Sequence, residues 1–228
     1  MLKSDVHSHQ SFEGKEIICF PFNGNAREAV SMMISENSEQ WHPLGFLDDS
    51  KDKAASSFSS LGVLGDRFGW QLYPQALVLA VPGRPENFRQ RKEMICGTGI
   101  PASRFSRVIS QNCHIGCNVQ IGYNTLIMPG VVITGDVSIG NHVVVLPNTV
   151  LSHDVIIGDF TMIGSNVSVS GGVNIGHNCY VGSGTRIISE IEIGDLSLLG
   201  IGSTLLESMP LGSVYAGSPA RSIRQTNE

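Results

Sequence analysis

The sequence predicts a parallel β-helix preceded by a small α/β unit. Every sixth residue from Ile109 to Leu211 is Ile, Val or Leu, eighteen in succession with no slip in register. The residue after the aliphatic is often glycine, as at Gly116, Gly122, Gly140, Gly158, Gly164, Gly176, Gly182, Gly194 and Gly200. Before this run, strand-like and helix-like stretches alternate.

A helix needs apolar residues about every 3.6 positions and a half-buried strand every second one, so a period of six fits neither. It fits very short strands joined by tight corners. Glycine suits a corner that needs positive φ, because it has no Cβ to clash. Four residues after the aliphatic comes a small or β-branched residue, as at Val119, Thr125, Val131, Thr149, Val167 and Thr185. One hexapeptide cannot bury its own aliphatic. Three make a triangular coil, and stacked coils build a continuous column, here of about six coils. A β-sandwich would not hold an unbroken period of six.

In the amino-terminal part, residues 16–20 (EIICF) read as a strand, followed by a PFNGN turn and a helix from about Ala26 to Glu36. Leu44–Leu47 and Ala76–Val81 read as further strands, and Pro85–Gly97 as a charged helix. Alternation of this kind gives a mostly parallel sheet whose ligands sit at the carboxyl ends of its strands. Asn23, Gly24 and Asn25, the pair Asp48 and Asp49, and Gly83 all fall at such ends. Helix-start N–H groups hold phosphate oxygens, and carboxylates about twenty residues on accept hydrogen bonds from a ribose or base. A simple turn and a solvated acidic loop account for the same residues.

Composition narrows the function. Charged residues are 15% of the chain, the net charge is −5 and no basic run occurs, so no nucleic-acid partner is expected. No apolar run is long enough to span a bilayer. The first fifteen residues are polar and lack the apolar middle of a signal peptide. They read as a disordered or tag-like segment in which His7 and His9 are inert, and the expected location is the cytoplasm. The five cysteines are then free thiols, with Cys113 and Cys179 as core filler. Side chains on one corner of successive coils are eighteen residues apart, and no pair among His142, His153 and His177, nor His114 with His153, has that spacing, so no metal site is expected. His153 precedes Asp154 at a corner. A carboxylate beside an imidazole fixes its tautomer and suits it to act as a general base, although such pairs also occur on plain surfaces.

The hexapeptides, the segment SHDVIIGDF, the later GGVNIGHNCYVGSGTRI, the ending GSVYAGSPARSIR and the amino-terminal GFLDD and NGNARE together resemble the NeuD-type bacterial sugar acyltransferases. These are sugar-nucleotide N-acetyltransferases of the PglD and PerB kind, with sialic-acid O-acetyltransferases as relatives. The resemblance covers nearly everything after residue 16. It implies a Rossmann-like nucleotide-sugar-binding domain over 16–103, a left-handed β-helix over 104–211 and a carboxyl-terminal tail over 212–228. It implies a homotrimer with acetyl-CoA in the groove between neighbouring coils and a nucleotide-linked amino sugar as acceptor. His153 falls at the general base and Asp154 at its acidic neighbour. Asn23, Gly24, Asn25, Asp48, Asp49 and Gly83 fall at substrate-binding positions; Gly171, Gly182, Ser183, Ile201 and Met162 fall at coenzyme positions.

The sequence departs from that pattern at three places. Met162 stands where some relatives have a coenzyme-contacting histidine, Leu146 where many have asparagine, and PFNGN where a glycine-rich turn is usual. The expected activity is N-acetylation of a nucleotide-linked deoxyamino sugar for surface polysaccharide, with no metal. A sugar O-acetyltransferase and a non-catalytic sugar-nucleotide-binding coil are the alternatives.

Overall fold

The computed structural model describes residues 14–36 and 40–225; the segment containing His7 and His9 lies outside them. The chain opens with β1 (Lys15–Phe20), α1 (Gly24–Ser35), β2 (Trp41–Leu47), β3 (Ser57–Phe58), β4 (Leu61–Gly65) and β5 (Leu77–Ala80). These strands form one sheet in the order β3-β4-β2-β1-β5, parallel except for the β3–β4 hairpin. β1 lies inside the sheet between β2 and β5, which explains its unbroken run of apolar residues: Ile17 to Phe20 are buried. The N-cap of α1 is Asn23, whose side chain accepts from Ala26 N at 2.9 Å. Its buried face, Ala26, Ala29, Val30 and Met33, has the spacing of a helix laid on a sheet.

The charged helix expected over Pro85–Gly97 is shorter. A single turn of 3₁₀ helix at Phe88–Gln90 leads into α2 (Arg91–Cys96). The arginine at its start is fully buried, not solvated. β3 and β4, short and half-exposed, carry no pattern that stands out in the sequence.

From Val108–Ile109 to Thr204–Leu205, seventeen two-residue strands follow at intervals of six. They stack as three parallel sheets in which each strand pairs with the one eighteen residues on. The first face carries Val108–Ile109, Leu126–Ile127, Val144–Val145, Met162–Ile163, Tyr180–Val181 and Leu198–Leu199. The second runs from His114–Ile115 to Thr204–Leu205, and the third from Gln120–Ile121 to Glu192–Ile193. The coil is left-handed. Its periodic aliphatics fill the axis together with Val131, Val137, Val143, Val155, Val167, Val173 and Cys179. Each buried aliphatic side chain contributes roughly 1.5–3 kcal/mol. Cys113 packs against the same column.

Two details differ from the sequence reading. The glycine after the aliphatic is not the residue with positive φ. That conformation falls two positions later, at Asn118, Asn124, Asp136, Asn148, Asp154, Asn166, Asn178 and their equivalents, including Gly130 and Gly172. Asn and Asp tolerate it because their short polar side chains bond locally. The glycines serve coil stacking instead: a Cβ on Gly158 would lie 2.6 Å from the carbonyl carbon of Gly176 in the next coil. The register also slips at the carboxyl end. Leu211 is 64% exposed, and Met209 takes the inward position opposite Ile193. Residues 212–228, read as a tail, carry a hairpin of Ser213–Gly217 and Ala220–Gln225 that extends the first face. Tyr215 and Ala220 join the coil core.

The α/β unit sits on the first face, where Leu126, Val144 and Met162 share a core with Val30, Phe46 and Leu79. It is fixed along the corner between the third and first faces. Asn124 there mimics a strand: its Nδ2 donates to Ala80 O at 2.8 Å, and its Oδ1 accepts from Ala80 N at 2.7 Å. Arg91 donates to the carbonyls of Phe160 at 2.9 Å, His142 at 2.5 Å and Pro82. Burial pulls its pKa down to about 9, so it remains a cation at neutral pH. At the other end of the seam the Glu36 carboxylate accepts from Ser110 Oγ, Gln111 N and Asn112 Nδ2. Burial alone would raise its pKa; those bonds outweigh it and hold the carboxyl below its ordinary value.

Arg91→Leu strands three buried carbonyls, each costing about 1–3 kcal/mol. Thermal unfolding should show a loss of several degrees, starting in the α/β unit. Acid acts on the same seam. His142 is stacked on Phe160 at 4.6 Å, and burial, reinforced by the Arg91 charge, lowers its pKa to about 4. The unfolded chain therefore takes up a proton that the folded chain refuses. Stability is full above the ordinary histidine value and falls by on the order of 3 kcal/mol as the pH drops to about 4. Glu36 adds a further loss below the ordinary carboxylate range. His142→Phe should flatten the stability profile between pH 6.5 and 4 in denaturant titrations.

Candidate active site

His153 sits at the corner between the second and third faces, just after Val150–Leu151 and before Ile156–Ile157. That corner is the one opposite the first face, which carries the α/β unit. The imidazole is 71% exposed, and its Nδ1 lies 2.8 Å from Asp154 Oδ2. A carboxylate only accepts, so the proton sits on Nδ1 and the Nε2 lone pair faces solvent. Asp154 occupies the corner's positive-φ position, with φ of 60°, so the fold itself favours an acidic or amide residue there.

The coil above leaves room for the ring. Gly171 is eighteen residues on, and a Cβ built on it would lie 2.4 Å from His153 Cε1 and 2.6 Å from Nε2. Glycine at 171 is demanded by the imidazole, not by its own backbone angles. Gly172 N donates to His153 O at 3.0 Å, which ties the two coils at this point. The Gly171 N–H finds no acceptor among the described residues, so it remains a free donor beside the ring.

Gly182, Ser183 and Ile201 gather at a different corner, between the first and second faces. A Cβ on Gly182 would lie 2.5 Å from Ile201 N, Ser183 Oγ accepts from Ser165 N at 3.1 Å, and Ile201 is 80% exposed. Together with Gly171 they bracket the second face at its two edges. Met162 is not with them: it lies buried in the seam, its Sδ under Gly83, so its side chain is closed to a coenzyme on that surface. Leu146 packs against the same interdomain core.

A second constellation lies in the α/β unit. A cleft of about 490 Å³ is lined by Asn23, Gly24, Asn25, Lys53, Gly83 and Arg84, among others. Asn23 is occupied structurally: besides capping α1, its Nδ2 donates to Val81 O at 3.0 Å. Asp48 is buried, and its carboxylate accepts from Phe22 N, Ser50 N and Lys53 Nζ at 2.9–3.0 Å. Asp49 pairs with Arg67 at 2.6 Å and also accepts from Arg67 N. Burial would raise its pKa, but Arg67 holds its carboxyl below the ordinary range. Both members of the acidic pair thus hold loops together instead of lining the cleft. Lys53 and Arg84, which do line it, went unread in the sequence: an isolated lysine or arginine in a loop carries no spacing signal.

The repeats match a family model over 118–153 and 154–189, described as bacterial transferase hexapeptide (six repeats). Both matches lie within the coil. Solved structures share the whole architecture. PerB from Caulobacter crescentus, in complex with CoA and GDP-perosamine, aligns with a TM-score of 0.79 at 20% identity, over 92% of this chain and 98% of its own. The acetyltransferase domain of PglB from Neisseria gonorrhoeae, in complex with acetyl coenzyme A, gives 0.78 at 19%, over 92% and 100%. WeeI from Acinetobacter baumannii gives 0.75 at 21%, over 92% and 99%. At these identities the likeness is one of fold. No curated protein sequence matches the chain.

Two other histidines of the hexapeptide coil, His142 and His177, are structural. His142 bonds Asn124 Nδ2 through Nδ1 at 2.8 Å inside an aromatic cage of Phe105, Tyr123 and Phe160. His177 continues a corner ladder, its Nδ1 accepting from Asp159 N at 3.0 Å and its own N–H donating to Asp195 Oδ1 at 2.8 Å. His153 alone among these three presents an imidazole to solvent with a carboxylate behind it.

Gly171→Ala should push the His153 ring off its seat without unfolding the coil. Ring chemical shifts in a histidine-selective NMR spectrum should move for His153 and stay fixed for His142 and His177. An unmoved His153 signal would show that the ring does not rest on Gly171.

Proposed function

We propose that the protein is an acetyl-CoA-dependent N-acetyltransferase for the amino group of a nucleotide-linked deoxyamino sugar. It acts as a homotrimer in the cytoplasm, in surface-polysaccharide synthesis, with His153 as general base. The observation that carries the reading is the placement of the base. His153 stands exposed at the corner opposite the face on which the α/β cleft is mounted. A single coil thus separates its own cleft from its own base, and an acceptor held in one copy's cleft meets His153 of another copy. PerB, with CoA and GDP-perosamine, and the PglB domain, with acetyl coenzyme A, have this architecture and support the assignment of donor and acceptor. The cysteines of this chain are free, in keeping with a reducing compartment.

The chemistry follows from the groups present. The neutral sugar amine attacks the thioester carbonyl, forming a C–N bond. The amine proton passes to Nε2 of His153, and Asp154 stabilises the resulting imidazolium through Nδ1–H. As the C–S bond breaks, the CoA thiolate leaves and receives the proton. The Gly171 N–H, without an acceptor among the described residues, is the candidate donor to the developing oxyanion, a contact of the kind that contributes about 3–4 kcal/mol when preorganised. The coenzyme crosses the second face between Gly182, Ser183 and Ile201 at one edge and Gly171 at the other.

His153→Asn should lower kcat by about 10²–10⁴-fold in a CoA-thiol release assay with nucleotide-linked amino sugars, with melting temperature unchanged. Asp154→Asn should lower it less, because asparagine suits the same corner backbone. A mixing experiment tests the shared site. His153→Ala and a cleft-blocked Gly24→Trp chain are each inactive alone, and co-assembled oligomers should regain activity. Mixtures that stay inactive while forming mixed oligomers would sink the shared-site reading.

A further inference from the structure

The cleft of the α/β unit gathers three cations, Lys53, Arg84 and Arg91, of which only Lys53 has a close carboxylate, Asp48. Lys53 Nζ is steered into its wall by Asp48 Oδ2 at 3.0 Å and Phe22 O at 3.1 Å. Those two contacts leave one of its three donors free. Arg84 lines the same cleft; its Glu86 contact is long, 3.6 Å, with both side chains more than 70% exposed. Beneath the floor lies Arg91, fully buried and held by carbonyls alone, with no carboxylate paired to it among the described residues. A Cβ on Gly83, in the cleft lining, would lie 2.7 Å from Arg91 Cγ, so the buried cation is directly under the surface. Gly24 and Asn25, the first residues of α1, line this space. Above Gly24 a Cβ would meet nothing within 4 Å, so no packing in the chain requires glycine there.

We propose that this cleft binds the acceptor through its diphosphate, that Lys53 is the cation contacting that diphosphate, and that Asp48 is a positioning residue acting through Lys53. The proposal rests on the acetyltransferase reading and refines its acceptor site. It reverses the role the sequence pattern suggests for Asp48. Asp48 is buried, already accepts from Phe22 N, Ser50 N and Lys53, and is not part of the cleft lining, so its use is to aim the lysine. A diphosphate fits better than a monophosphate because it can meet Lys53 and Arg84 together across a water-accessible wall, above a buried third cation that strengthens the local field. A bare nucleoside would leave Arg84 and the buried Arg91 without a close anion.

Calorimetry on the full chain tests this with UDP, GDP and dTDP, the matching nucleosides, and inorganic pyrophosphate, each with acetyl-CoA titrated in parallel. At least one nucleoside diphosphate and pyrophosphate should bind, with affinity falling as salt rises. Lys53→Met should weaken the diphosphate at least tenfold while changing acetyl-CoA affinity less than twofold; Lys53→Arg should recover part of the loss. Asp48→Asn should weaken the diphosphate in the same direction, and should add little in the Lys53→Met background. Unchanged diphosphate affinity in folded Lys53→Met overturns the proposal, as does a nucleoside that binds as tightly as its diphosphate. Failure of acetyl-CoA to bind while diphosphates do would refute the transferase reading and leave this one standing.

Discussion

The whole molecule depends on eighteen-residue stacking. Each two-residue strand is too short to be stable alone and gains its hydrogen bonds only from the coils before and after it. The stack closes because the corners let backbones approach one another, and glycine after the aliphatic is what permits that approach at Gly158, Gly164, Gly176 and Gly182. The positive-φ duty is then left to another position, filled mostly by Asn, Asp or Gly. That division of labour has a functional result. Asp154 is acidic where the corner geometry already accepts an acidic residue, so the group behind His153 costs the fold no strain beyond what every corner carries. Gly171 is the other half of the arrangement, an empty place in the next coil that receives the ring.

The triangular section then decides how the parts can cooperate. One face is spent on the α/β unit, and His153 stands at the opposite corner. No hinge within one chain could carry the cleft around the coil without breaking the seam at Asn124, Arg91 and Glu36. The seam is polar and buried in a chain otherwise held by aliphatic packing, and its Arg91 donates to carbonyls from both units. Side chains at the positive-φ corner do the docking: Asn124 pairs with the end of β5, and Asn178 Nδ2 donates to Arg89 O at 2.5 Å. The corner that stabilises the coil is thus also its adhesive surface, and the same kind of corner carries the docking asparagines at one vertex and the His153–Asp154 pair at another.

The sequence by itself determined the coil, its register over nearly its full length, the parallel α/β unit and the candidate base. A strict period of six has only one economical packing, and a His-Asp pair at a corner position is readable without coordinates. What stayed hidden were features that depend on which side chains meet across coils or across the seam. Leu211 keeps the period yet lies on the surface, because the last turn is two residues shorter and Met209 replaces it. In a linear reading Met162 falls at a coenzyme position and Arg91 in a charged helix, and both are buried where the α/β unit meets the coil. Asp48 and Asp49 look like a ligand pair and are spent on Lys53 and Arg67. The tertiary structure alone decided these, since a residue's partners across eighteen, seventy or ninety positions are set by the docking of two surfaces, and no local pattern encodes that contact.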